Sequence, residues 1–138
     1  MFGLEINLFA VATATLMSMA LGIIWYSPMV CGTWWMEIVG VREEDIASGV
    51  IERGWRFLAG FVLHFIVLAS VAYLLRVLGE VTGVSFVRIM VTLSMLIVAG
   101  YVSMVIWENK SIRYLGIAGG YALLFLWVGA AIIEYWPW

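Results

Sequence analysis

Charge is what this sequence has least of. Charged residues make up 12% of its 138 positions, about half of what a soluble domain carries. That is too little to coat a water-facing globule, and a net charge of −2 gives no basic surface for nucleic acid. Cysteine occurs once, as Cys31, which excludes an intrachain disulfide. Such a thiol acts as a small packing residue or as a reactive or lipidated site. Histidine also occurs once, as His64. One chain therefore cannot build a bis-histidine haem site, and zinc would need other ligands. Proline is confined to Pro28 and Pro137, so the long interior is free of helix breakers.

What the chain has in abundance is apolar length: hydrophobic residues are 65% of it. The hydrocarbon layer of a membrane is about 30 Å thick, and a helix crosses it with about 20 residues. Four stretches qualify, at about 7–26, 56–78, 86–107 and 112–133. We expect an all-α polytopic membrane protein, a four-helix transmembrane bundle forming a single domain over 1–138. The lipid bilayer is its first partner. No Lys or Arg precedes the first run, so this segment is expected to be a retained helix rather than a cleaved signal.

The connections differ in character. Residues 29–55 form a long polar connection with Arg42, Glu43, Glu44, Asp45, Glu52 and Arg53 among Trp34, Trp35 and Trp55. Ile46, Val50 and Ile51 fall near one helical face, which predicts one or two short interfacial helices. Gly79–Gly83 and Glu108–Ser111 are expected to be tight turns. Short turns force neighbouring spans to run antiparallel. Five of the seven cationic residues (Arg42, Arg53, Arg56, Lys110, Arg113) flank the first and third connections, against Arg76 and Arg88 at the second. That bias predicts a cell inner membrane location with both termini on the non-cytoplasmic side.

Small residues recur at helical spacing. Ala10, Ala14, Ser18 and Gly22 lie on one stripe of the first span, and Gly116 and Gly120 form a small-xxx-small pair in the fourth. Such stripes let helices approach closely in lipid. The pair could serve contacts within one subunit or between subunits. Trp25 and Tyr26 mark the headgroup level, and Ser27-Pro28 ends the helix.

Two segments resemble a known family. One is Trp25-Tyr26-Ser27-Pro28 followed by Gly32, Trp35 and Gly40-Val41-Arg42-Glu43-Glu44-Asp45. The other runs from Trp107-Glu108-Asn109-Lys110-Ser111 to Ile117-Ala118-Gly119-Gly120-Tyr121. Together they resemble the uncharacterised prokaryotic membrane family known as domain of unknown function 1761. Asn109 stands where that family often has glycine, Gly119 where alanine is frequent and Ala118 where asparagine is common. The resemblance implies a small four-span membrane protein and no assigned reaction.

Polar groups deep in lipid each need a reason. His64 could relay protons or contact a ligand, with Tyr101 and Tyr121 lining a polar pathway. The favoured reading is a histidine bonded to a backbone carbonyl or to a hydroxyl of a neighbouring helix. Hydroxyls such as Thr15, Ser18, Ser70 and Ser94 can return to the preceding turn. Arg76 and Arg88 can snorkel. Glu5 precedes the first span, so that span's interior lacks the carboxylate on which proton-coupled small multidrug carriers centre. No paired intramembrane acids, nucleophile elbow or phosphate loop is present. No catalytic, cofactor or metal site is expected, and no enzyme activity. The leading expectation is a structural or accessory subunit in a homo-oligomer or larger membrane complex. The alternatives are a small channel or carrier for a weakly charged solute, and a lipid- or quinone-contacting helper using Trp34, Trp35 and Trp55.

Overall fold

A computed structural model of the chain describes residues 5–42, 44 and 50–137. Among them are five helices and no strand. We label them α1 (Leu8–Trp25), α2 (Gly32–Val39), α3 (Val50–Thr82), α4 (Phe86–Trp107) and α5 (Ile112–Glu134). Four helices are long and apolar enough to cross a membrane: Leu8–Trp25, Gly54–Gly79, Phe86–Trp107 and Ile112–Glu134. The short α2 is the interfacial segment between the first two spans.

Local chemistry sets the ends. Asn7 caps α1, its side-chain oxygen accepting from Phe9 and Ala10 N–H, each at 3.0 Å. Ser111 caps α5 in the same way, accepting from Tyr114 N–H at 3.2 Å. Gly79 does not start the second turn as expected. The helix runs on through Thr82, and Gly83 takes a left-handed φ of 66°. Among Gly79, Glu80, Val81 and Thr82 nothing breaks a helix, so the stop falls on the glycine that adopts that conformation. Likewise Val50–Trp55, expected within an interfacial segment, is the start of α3. Ile46 lies outside the described residues.

The other short turn also holds a residue in the left-handed region. Asn109 has φ 57° and is the one non-glycine residue in the left-handed region among those described. Asparagine tolerates that region almost alone among residues with a Cβ.

Three helices make the core. α1 packs most extensively against α5, then against α3. One buried cluster joins Val11 and Ala14 of α1, Leu68 and Ala72 of α3 and Phe125 of α5. A second joins Val71 and Leu75 of α3, Ile89 and Met90 of α4 and Leu126 and Ala130 of α5. Lipid tails are as apolar as these side chains, so tight dispersion contact holds the helices together. Gly129 shows how tight: a Cβ there would lie 2.6 Å from a Leu68 methyl. α4 is peripheral, with Ile89 and Met90 its buried residues. Four antiparallel passes bring both chain ends to one side of the bundle, where Phe9 and Trp136 meet edge to face at 5.8 Å.

The turn between α1 and α2 is wound on itself. Cys31 N–H donates to the Trp25 carbonyl at 3.0 Å, and both Val30 and Gly32 N–H donate to the Ser27 carbonyl. A Cβ on Gly32 would collide with the Tyr26 carbonyl oxygen and the Ser27 carbonyl group. Backbone cannot yield as a side-chain tip can, so this position requires glycine. Gly32→Ala should therefore destabilise the protein by roughly 1–3 kcal/mol. Gly100→Ala, in open space on α4, should stabilise it by up to about 1 kcal/mol. Thermal unfolding in mild detergent, followed by circular dichroism, compares the two.

Candidate functional site

The two family segments, far apart in sequence, meet at the end of the bundle that carries the first and third connections. α5 opens with one helical turn and then widens into a π-turn over Leu115–Gly119. A widened turn disturbs the hydrogen-bond ladder. Here the Ile117 carbonyl accepts a bond from outside the helix: the Trp25 indole N–H donates to it at 3.0 Å. The indole lies on Gly120, where a Cβ would sit 3.2 Å from Cζ2. Trp25 is thus more than a headgroup marker. It fastens the end of α1 to the irregular start of α5.

Tyr26 and Tyr121 extend the junction inward. Tyr26 packs edge to face on Trp35 of α2 at 5.6 Å and on Tyr121 of α5 at 5.3 Å. Tyr121 fills the notch left by Gly22, where a Cβ would lie 2.6 Å from the phenol oxygen. Its hydroxyl donates to the Ser18 carbonyl at 3.2 Å. The same oxygen is 3.5 Å from His64 Nε2.

His64 is oriented by its own helix. Nδ1 is 2.6 Å from the Gly60 carbonyl. A carbonyl only accepts, so Nδ1 donates to it, while the Tyr121 hydroxyl, whose one hydrogen goes to the Ser18 carbonyl, lies beside the other ring nitrogen. Phe125 meets the imidazole edge to face at 4.5 Å. Next to this pair, the Ser18 hydroxyl is buried with no hydrogen-bond partner among the described residues. The neighbouring Thr15 returns its hydroxyl to the Val11 carbonyl at 2.8 Å.

The positions singled out from sequence are distributed as follows. Ala10, Ala14 and Ser18 are fully buried within the subunit, and Gly22 receives Tyr121. Gly116 and Gly120 do not act as one surface: Gly120 lies under Trp25, whereas Gly116 is exposed with open space around it. A wider turn changes the angular spacing of side chains, so residues four apart across it leave a common face. His64 and Tyr121 come together, but Tyr101 does not join them. It packs over Gly119 and lies 6.2 Å from Tyr114. Trp25, Tyr26, Ser27, Pro28, Gly32 and Trp35 form the corner itself. Glu44 is exposed, and Glu43 and Asp45 lie outside the described residues. No group of three His, Cys, Asp or Glu residues is placed to hold a metal among those described.

The π-turn, the Trp25 donor and the Tyr121–His64 contact were not foreseen from sequence. The glycine-rich run Leu115–Gly120 was the visible signal for the first. Nothing local marks the last, which joins residues 57 apart.

Tyr26 ends α1 and lies just outside the first span. Its phenol holds its proton above the ordinary value of 10, up to about 12. Desolvation is the main cause, followed by the hydroxyls of Tyr101, Tyr121 and Tyr114 and the Cys31 thiol.

The family described as "Protein of unknown function (DUF1761)" matches residues 9–134 of the chain. No curated protein and no solved structure matches it.

Two expectations follow from the junction. Trp25→Phe keeps the ring but removes the donor to Ile117, and should lower stability by about 1 kcal/mol in a thermal melt. A raised phenol pKa means the folded state keeps a proton that the unfolded chain gives up. Stability should thus be constant below about pH 10 and fall as pH rises toward about 12. In a phenolate absorbance titration, Tyr26→Phe should delete the latest-titrating component.

Proposed function

The chain belongs to the DUF1761 family of proteins of unknown function, and on that footing we propose that it is a non-catalytic accessory membrane protein. In this reading it packs against further transmembrane helices, its own copies or other subunits, through the outward face of α4. The observation that carries the reading is the imbalance of α4. Its inner edge is bonded and buried, with Ile89 and Met90 in the core and the Trp127 indole donating to Ser94 at 2.9 Å. Further along the helix the small residues Ala99, Gly100 and Ser103 are exposed. Small residues at such spacing let another helix approach closely in lipid. Ala99 also lines an apolar groove of about 520 Å³ between α4 and α5, together with Val91, Met95, Val98, Val102, Leu123 and Trp127 among others.

The polar core supports the same reading. His64 and Tyr121 each direct a polar atom to a backbone carbonyl of the bundle. They read as internal fasteners, not as the lining of a solute path. The corner built on Trp25 and Gly32 then serves to hold α1, α2 and α5 as one rigid body from which α4 presents its face.

The test is cross-linking in native membranes. With Cys31→Ser removing the native thiol, Ser103→Cys should give a disulfide or bifunctional cross-link, and Gly100→Leu should reduce the assembled species on a native gel by severalfold. Monomer migration in all variants, with no cross-link at residue 99, 100 or 103, would remove α4 as an assembly face.

A further inference from the structure

We propose that the cleft between α2 and the start of α5 is a headgroup site for one phospholipid bearing a primary amine, of the phosphatidylethanolamine class. The cleft has a volume of about 410 Å³ and is lined by Trp34, Glu37, Arg113 and Ile117. Its lining combines two apolar walls with one carboxylate and one guanidinium. Neither charge is satisfied by the other: among the described residues no ion pair joins Glu37 to Arg113. Both side chains are exposed at the cleft.

Depth favours a lipid. α2 follows directly on the turn that ends the first span, and Arg113 is the second residue of the fourth, Ile112–Glu134. Both charges are therefore at the level where phosphates and amines of the bilayer lie. Trp34, 57% exposed, has the amphipathic ring favoured at that level. Ile117 lies about one turn deeper along α5 and continues the wall toward the acyl region.

Charge complementarity selects the headgroup. A guanidinium offers a planar fork of donors that fits a phosphate diester. A carboxylate is acceptor-only when ionised and takes hydrogen bonds from a primary ammonium. A choline headgroup carries the same charge but has no N–H to donate, and a glycerol headgroup has no cation. The site thus discriminates by hydrogen bonding at Glu37, while Arg113 holds the phosphate common to all three.

The experiment uses the full chain, extracted in mild detergent and equilibrated with equal amounts of phosphatidylethanolamine, phosphatidylcholine and phosphatidylglycerol. Native mass spectrometry counts the lipid that stays bound. The amine lipid should be retained roughly three- to fivefold over each of the others, the scale of one exposed charge pair. Glu37→Gln should abolish that preference while phospholipid is still retained, and Arg113→Gln should lower retention of all three. Glu108→Gln changes the charge at the same end of the bundle without touching the cleft, and should leave the preference intact. Equal retention of the three lipids by the unaltered chain would overturn the proposal, as would a preference that survives Glu37→Gln or is lost in Glu108→Gln. Displacement of the bound lipid by equimolar water-soluble glycerophosphoethanolamine would assign the site to a soluble phosphoamine and overturn the lipid reading.

Discussion

Widening the start of α5 into a π-turn constrains its carbonyls to irregular bonding, which a donor from a neighbouring element can complete. The hydrogen bond from the Trp25 indole to the Ile117 carbonyl meets that constraint, and much of the architecture is arranged around it. The ring must lie flat against α5, which requires Gly120 beneath it. The chain must then leave α1 abruptly so that α2 can cover the corner, which requires the Ser27-Pro28 turn and a glycine at position 32. What reads in sequence as a string of motif residues is in three dimensions one joint with interlocking parts. Backbone proximity and ring packing account for Trp25, Tyr26, Gly32 and Trp35 of the motif.

Aromatic rings seated on glycines are the recurring device of this bundle. Tyr121 lies over Gly22, Trp25 over Gly120 and Tyr101 over Gly119. A ring on a bare backbone offers large contact area at small entropic cost, which matters where lipid supplies no hydrophobic drive. In Tyr121 and Trp25 the polar end of the ring also bonds a carbonyl of the opposite helix. The same side chain thus sets both the spacing of two helices and their register along each other.

The four spans were legible because apolar run length is a property of consecutive residues. The helices α1, α4 and α5 lie within one residue of the expected bounds, whereas α3, Val50–Thr82, begins six residues before and ends four residues after the expected 56–78. The turn at Glu108–Ser111 was legible too, and within it Asn109 takes a left-handed φ. The end of α3 was less legible, since Gly79 and Gly83 look alike in sequence and differ only in the conformation the chain imposes. At the junction, the sequence marked Trp25, Tyr26 and Gly120 as special but not as mutual partners. A stripe drawn at regular helical spacing also joined Gly116 to Gly120, because periodicity assumes the regular turn that Leu115–Gly119 lacks. The pairing of His64 with Tyr121 is a product of tertiary packing and has no local trace.

The length of α3 has a mechanical consequence. Its apolar part, Gly54–Gly79, has 26 residues and measures about 39 Å, beyond the roughly 30 Å of a bilayer's hydrocarbon. A rod longer than its slab leans or protrudes, and the lean steepens as the slab thins. Because this rod carries His64 and much of the buried core, the seating of the whole barrel of helices is geared to the local depth of the fatty layer.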